Sequence, residues 1–439
     1  MKDSGVEWIG MIPEEWDRVS LLNTLSTKIT DGPHETPELV ENGVPFISVD
    51  SLNDSKRVDL SVVKKFISEE LYQEYYKKAS LEEGDILFSK SATIGKTAIV
   101  DDRKFMVWSP LAILKVNHNC CSTNYIYYVL NCEQLIEYTC LLGTSNTQVN
   151  VGMRALEKAK IPLPSYQEQN RIADYLDAKC AAIDDVIAKT TESIEEYKKL
   201  KQAVITEVVT KGVRGKRPMK DSGIDWIGQI PKEWDVVALR YLGQCQNGIS
   251  KGAEFFGSGY PFVSYSDVYK NIELPKSVDG LVQSTDEERE RYSVKRGDIF
   301  FTRTSETIEE IGFTSVCTKD IENATFAGFL IRVRPIDDSL NPDYAKYYFR
   351  SDIHRRYFVK EMIIVIRASL GQELLKKLPV LLPSKEEQRE IADYLDSKCA
   401  AIDTLISKKQ QFIDELTAYK KSLIYEYVTG KKECINTGM

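Results

Sequence analysis

An internal duplication constrains this chain more than any other feature. Met1-Lys2-Asp3-Ser4-Gly5-Val6-Glu7-Trp8-Ile9-Gly10 recurs 218 residues on as Met219-Lys220-Asp221-Ser222-Gly223-Ile224-Asp225-Trp226-Ile227-Gly228. Ile12-Pro13-Glu14-Glu15-Trp16 recurs as Ile230-Pro231-Lys232-Glu233-Trp234. Ile172-Ala173-Asp174-Tyr175-Leu176-Asp177 and Lys179-Cys180-Ala181-Ala182-Ile183-Asp184 return 219 residues on, beginning at Ile391 and Lys398. Between these blocks lie two segments of nearly equal length and mostly different sequence. Only skeletal matches survive there: Gly84-Asp85-Ile86 with Gly297-Asp298-Ile299, Pro45-Phe46 with Pro261-Phe262, and Tyr127-Tyr128 with Tyr347-Tyr348. The plan is start block, variable domain, helix, repeated once. At 439 residues the chain exceeds one ordinary domain. Two similar scaffolds carrying two different surfaces suit the recognition of two different things at a fixed separation.

Each variable segment ends in Leu-Pro-Ser, at Leu163-Pro164-Ser165 and Leu382-Pro383-Ser384. Ser165 with Glu168, and Ser384 with Glu387, have the spacing of a capping box. Gly212 and Gly430 stand where helices end in a left-handed residue. Ser165 to Lys211 is 47 positions, a helix of about 70 Å at ~1.5 Å per residue. Apolar residues follow a 3–4 alternation in both helices: Ile172, Leu176, Cys180, Ile183, Ile187 and Ile194 in the first, and Ile391, Leu395, Cys399, Ile402, Ile406, Ile413, Leu416 and Leu423 in the second. One buried stripe per helix is a coiled-coil signature. The matched lengths predict that the two helices pair with each other, antiparallel, as a ruler between the domains. The bland alternative is that each helix packs only on its own domain.

The variable segments read as mixed α/β. Short apolar runs at Val44–Val49, Asp85–Phe88 and Ala112–Val116 predict strands, as do Tyr260–Ser264, Asp298–Phe301 and Phe329–Val333. Aromatic helices follow at Tyr125–Leu130 and Tyr344–Phe349. The fold class expected is α+β: two mixed α/β domains joined by two long antiparallel helices, with an internal pseudo-two-fold duplication. The divisions are 1–164, the start block and first domain; 165–212, the first long helix; 213–383, the second start block and domain; 384–430, the second long helix; and 431–439, a tail.

The formal net charge of −8 argues against a simple DNA binder. Residues 17–164 hold 16 Lys+Arg against 19 Asp+Glu, and residues 235–383 hold 20 against 21. A nucleic-acid reading therefore needs a local basic face or basic partners. Nine cysteines without a Cys-x-x-Cys pair, and only three histidines, give poor support to disulfide or zinc frameworks. Cys120-Cys121 reads as two packed thiols. No apolar run is long enough to span a bilayer, and a secretion signal is not evident at the N-terminus. A reduced cytoplasm is the expected compartment.

Polar loops follow the strands. In the first domain Ser89-Lys90-Ser91-Ala92-Thr93-Ile94-Gly95-Lys96 concentrates lysines and hydroxyls, and Gly143-Thr144-Ser145-Asn146-Thr147-Gln148 is amide-rich. Asp31-Gly32-Pro33-His34-Glu35-Thr36 is another polar turn. The second domain offers Ser264-Tyr265-Ser266 and Thr302-Arg303-Thr304-Ser305, with Lys251 and Arg367 in other loops. Such side chains suit groove and phosphate contact, since Arg and Lys favour guanine edges, Asn and Gln adenine, and hydroxyls phosphates. The candidate DNA contacts are His34, Lys90, Ser91, Thr93, Lys96, Ser145, Asn146, Thr147 and Gln148 in the first domain. In the second they are Lys251, Ser264, Tyr265, Ser266, Arg303, Thr304, Ser305 and Arg367. Ordinary solvated loop chemistry is the competing reading for each.

The Asp-Ser-Gly-x-x-Trp-Ile-Gly start, the Ile-Pro-x-x-Trp and the Leu-Pro-Ser-x-x-Glu-Gln lead into a long helix resemble the conserved regions of type I restriction-modification specificity subunits. Thr30-Asp31-Gly32-Pro33-His34-Glu35-Thr36-Pro37 resembles a segment of that family's target-recognition domains. The second domain departs from it, with Asn247-Gly248-Ile249-Ser250-Lys251 instead. The resemblance implies two target-recognition domains, each reading one half of a bipartite, asymmetric site in double-stranded DNA. It implies helices that set the unread spacer and dock two modification subunits, with restriction subunits joining the assembly. It implies no catalytic residue, no cofactor and no metal in this chain.

Catalytic motifs are hard to find. There is no Gly-x-Gly-x-x-Gly after a strand and no Gly-x-x-x-x-Gly-Lys-Ser/Thr loop. Pro342-Asp343 with Lys346 has part of a nuclease pattern at the wrong spacing. A fused methyltransferase-nuclease would need a catalytic domain for which few residues remain. A protein-binding scaffold would leave no DNA footprint and show no salt-dependent binding.

Overall fold

The computed structural model describes residues 1–53, 55–91, 93–142, 151–305, 311–361 and 368–434. The chain forms two compact units, Met1–Thr191 with Gln411–Met439, and Glu192–Gln410. Each unit takes the front half of one long helix and the back half of the other.

In the first unit the strand Asp17–Ser20 pairs antiparallel with Lys160–Leu163, which leads into the first long helix. The variable domain is thus a length of chain zipped together at its two ends. Inside it an antiparallel sheet runs in the order Thr30–Asp31, Leu111–Leu114, Ile86–Ser89, Thr97–Ile99. Its central strands are buried on both faces, which is why they read as continuous apolar runs rather than alternating ones. Val44–Ile47 pairs antiparallel with Phe66–Ile67 and parallel with Met106–Val107.

The second unit repeats this plan. Asp235–Ala238 pairs with Pro379–Leu382. The sheet order is Gly243–Asn247, Leu330–Pro335, Ile299–Thr302, Thr314–Val316. Phe256–Val263 pairs antiparallel with Leu281–Val282 and parallel with Thr325–Phe326. The α+β class and the duplication expected from sequence are both present. The skeletal matches have structural reasons. Gly84 and Gly297 both adopt positive φ, 92° and 91°. Asp85 pairs with Lys115 at 3.2 Å and Asp298 with Arg334 at 2.6 Å. The tyrosine match needs a shift of one residue. Tyr128, not Tyr127, is the counterpart of Tyr347, since each donates its hydroxyl to the long-helix carboxylate Asp177 or Asp396. Likewise Tyr125 donates to Pro162 O and Tyr344 to Leu381 O.

The long helices span Tyr166–Lys211 and Lys385–Val428. Ser165 and Ser384 accept from the N–H groups of Glu168 and Glu387, each at 3.3 Å. The reciprocal half of the expected capping box is replaced by other contacts. Glu168 pairs with Arg171, while Glu387 accepts from Trp234 Nε1 at 3.0 Å and pairs with Arg217 at 2.6 Å. The residue after each acts as the clamp. Gln169 Oε1 accepts Ser122 N and its Nε2 donates to Cys120 O and Pro164 O. Gln388 does the same with Asn341 N, Ser339 O and Pro383 O. Gly212 and Gly430 end the helices at φ 73° and 69°.

The predicted stripes lie inward. Ile172, Leu176, Ile183 and Leu423 are buried in the first unit's core, with Ile187 and Leu416 half-buried against it. In the second unit Ile194, Ile391, Leu395 and Ile402 are buried, and Ile406 is half-buried, as is Ile413 in the first. Helix pairing is antiparallel in both units. Asp184 meets Lys420 and Lys201 meets Asp403, both at 2.7 Å, and the two ion pairs lie in one antiparallel register. Each helix also packs on its own domain, but not only there, so the helix-to-helix pairing is the sequence alternative realised. Among the described residues no helix is long and apolar enough to cross a membrane.

Candidate nucleic-acid interface

Lys90 and Arg303 open the hairpin loops that follow Ile86–Ser89 and Ile299–Thr302, and matching main-chain bonds fix them. Lys90 N donates to Pro110 O at 3.0 Å and Arg303 N to Phe329 O at 2.9 Å. Lys90 O accepts from Val151 N at 2.9 Å and Arg303 O from Leu370 N at 2.7 Å. Just before them, Ser89 Oγ accepts Lys96 N at 2.8 Å and Thr302 Oγ1 accepts Phe313 N at 2.9 Å. The two basic residues therefore occupy one position in two scaffolds, although their loops differ in length.

Beside that position stands the end of the sheet's edge strand. Asp31 pairs in register with Ala112, and Asn247 with Ile331. The glycine after each is required by close approach. A Cβ on Gly32 would lie 2.0 Å from Val107 O, and one on Gly248 would lie 2.2 Å from Phe326 O. Asp31 and Asn247 are thus counterparts, yet their chemistry differs. Asp31 Oδ2 takes the Lys90 ammonium and, at 3.1 Å, His34 Nε2. Lys90 and Asp31 are largely covered, with side chains 13% and 12% exposed, while His34 is 75% exposed. Asn247 brings no charge, and its Oδ1 accepts Gln372 Nε2 at 3.0 Å. The fold thus gathers His34 and Lys90 around one carboxylate that sequence reasoning did not single out.

The other expected contacts scatter. Ser91 is half-buried and Thr93 exposed in the first hairpin loop. Ser89 Oγ donates to Thr93 O at 2.5 Å. Lys96 turns toward the helices and lines a cavity of about 710 Å³ with Lys56, Asp177, Asp184 and Lys420. In the second unit Tyr265 donates its hydroxyl to Thr304 O at 3.0 Å, joining two expected loops. Ser264 caps the short helix Tyr265–Lys270 and forms a complete capping box with Asp267, while Ser266 is exposed. Lys251 lies apart. Its ammonium bonds Gln283 O and Glu288, both at 2.7 Å, which locally cancels its charge. Ser305 follows Thr304 in a two-residue strand paired with Ala368–Ser369. Ser145, Asn146, Thr147, Gln148 and Arg367 lie outside the described residues. Phe329, whose carbonyl accepts the Arg303 N–H, is 64% exposed.

One lysine in each unit is tied to a long-helix carboxylate. Lys346, from the incomplete nuclease pattern, pairs with Asp396 at 2.8 Å. In the first unit Lys56 fills that role by pairing with Asp177. Burial pushes the Cys121 thiol up to about 12, and Cys120 Sγ lies 3.5 Å away as a free thiol.

Two separate stretches, residues 14–196 and 231–415, match the family described as Type I restriction modification DNA specificity domain. A Methanocaldococcus jannaschii protein named for the MjaX type I restriction enzyme specificity subunit is 27% identical, over 96% of this chain and 95% of its own length. The MjaVIII specificity subunit of the same organism is 24% identical, over 96% and 93%. A chain solved in work on complex assembly of the type I R-M system superposes with a TM-score of 0.71 at 15% identity, covering 96% of this chain and all of that one. The HsdS subunit from Thermoanaerobacter tengcongensis gives 0.50 at 16% identity, over 96% and 98%. With the specificity domain matched twice, once in each half of a duplicated fold, the chain belongs to the type I restriction-modification specificity subunit family.

Proposed function

We propose that this chain is the DNA-reading subunit of a type I restriction-modification complex. Residues 1–164 and 213–383 each read one half of a bipartite, asymmetric double-stranded site, and the helices of 165–212 and 384–430 set the unread spacer. The observation that carries this reading is one hairpin position repeated in two specificity domains with different side chains around it, Lys90 and Arg303. Chemistry belongs to partners: two modification subunits dock on the helices, restriction subunits join them, and this chain supplies no catalytic group. Along the second helix Leu405, Phe412 and Tyr419 recur every seventh residue and are 42%, 45% and 53% exposed, a stripe suited to a partner helix. The complex works in the cytoplasm, and partner basicity compensates the net charge of −8.

The test is binding of the assembled complex to duplexes in which one half-site at a time is scrambled. Lys90→Ala should weaken recognition of one half-site and Arg303→Ala of the other, each about tenfold, the worth of one good side-chain-to-base contact. Equal loss at both half-sites from either variant contradicts independent reading, and salt-independent binding contradicts the DNA role.

A further inference from the structure

The two recognition domains hold one position in two chemical states. In the second, Arg303 stands beside Asn247, whose oxygen is taken by Gln372. In the first, Lys90 stands in the same main-chain setting beside Asp31, and the two are ion-paired. We infer that this pair, Asp31/Lys90 in one domain and Asn247/Arg303 in the other, determines which purine each domain accepts at one base of its half-site.

The argument is donor and acceptor matching. A guanidinium is a fork of donors with no acceptor. It complements guanine, whose major-groove edge offers two acceptors, O6 and N7. Asn247 adds no carboxylate to neutralise or redirect that fork. An ammonium held against a carboxylate presents a donor and an acceptor side by side. Adenine offers the inverse, an N7 acceptor beside an N6 amino donor. The Lys90 and His34 bonds to Asp31 both fall on Oδ2, which leaves Oδ1 to serve as the acceptor. His34, exposed and bonded to the same carboxylate, holds it from the solvent side. The first domain's pair therefore selects adenine and the second's selects guanine. The glycines that follow put the main chain against Val107 O and Phe326 O, which fixes Asp31 and Asn247 at equal depth relative to the hairpins.

This inference rests on the reading that each domain recognises a half-site. Its test transplants the pair. The double variant Asp31→Asn/Lys90→Arg is assembled with the modification and restriction subunits, and its methylation motif is determined beside that of the unaltered complex. The expected result is an adenine-to-guanine change at one position of the first half-site, with at least about tenfold discrimination and an unchanged second half-site. The reciprocal variant Asn247→Asp/Arg303→Lys should make the opposite change in the second half-site, and it decides the matter if the first variant misfolds. Retention of both motifs in variants that still methylate overturns the inference, as does a change spread over several bases. If the unaltered complex gives no bipartite motif, the functional reading fails instead, so the two failures are distinguishable.

Discussion

Replacing His354 by Leu should stabilise the second unit in acid and not at neutral pH. His354 is 1% exposed. Its ring packs edge-on to Tyr348 at 4.7 Å and against Phe349 at 5.3 Å, and its nitrogens make no hydrogen bond of normal geometry among the described residues. Burial, with Arg355 adding repulsion, pushes its pKa down from 6.5 to about 3. The sign follows from linkage. Above pH 6.5 both folded and unfolded states carry a neutral ring, so nothing is lost. Below it the unfolded state gains a proton that the folded state refuses, and stability falls until about pH 3. At pH 5 the loss is about 2 kcal/mol, and its ceiling is about 5 kcal/mol. The counterpart in the first unit is Leu135, also 1% exposed, so leucine suits this scaffold. For a unit of this size, 2 kcal/mol corresponds to about 4–8 °C in Tm. Unfolding followed at pH 7.5 and pH 5.0 should show the gain from His354→Leu larger at pH 5.0 by that amount. An equal difference at both pH values refutes the argument.

Other consequences are as specific. Gly248→Ala should cost about 3 kcal/mol, because its Cβ would meet main-chain oxygens of Phe326 and Ala327 at 2.2 and 2.3 Å that cannot rotate away. In binding assays it should abolish reading of the second half-site and spare the first; parallel loss of both would show that the defect is global. Deleting the matched heptads 189–195 and 409–415 keeps the flanking ion pairs Asp184–Lys420 and Lys201–Asp403 in register. It shortens the helix pair by ~10 Å and turns it by about 20°, which should select a shorter spacer. An unchanged spacer in the variant's methylation motif removes the ruler role.

Much of this was legible in the sequence, and the reason is duplication. The two Leu-Pro-Ser-x-x-Glu-Gln leads contain Gln169 and Gln388, which make the same bond in both units, whereas the equivalence of Tyr125 and Tyr344 is visible only in the structure. The seam was readable because helical packing depends on spacing alone. The site was less legible because its geometry depends on residues far apart in the chain. Asp31 and Lys90 are 59 residues apart and meet only because the sheet sets the edge strand beside the hairpin. Lys251, like Lys90, is a loop cation held by a carboxylate, but its partner Glu288 lies on a different element from the hairpin position that Lys90 shares with Arg303. The Lys96 position holds Phe313 in the other unit, so a lysine there serves the cavity on the helix side rather than a shared recognition position.

The most direct test of the central claim is methylome sequencing of the source cells with and without this gene. Loss of one bipartite motif, two short specified halves around an unspecified spacer, is the predicted result. Loss of a continuous motif, or no change in cells whose modification subunit is expressed and active, would contradict it.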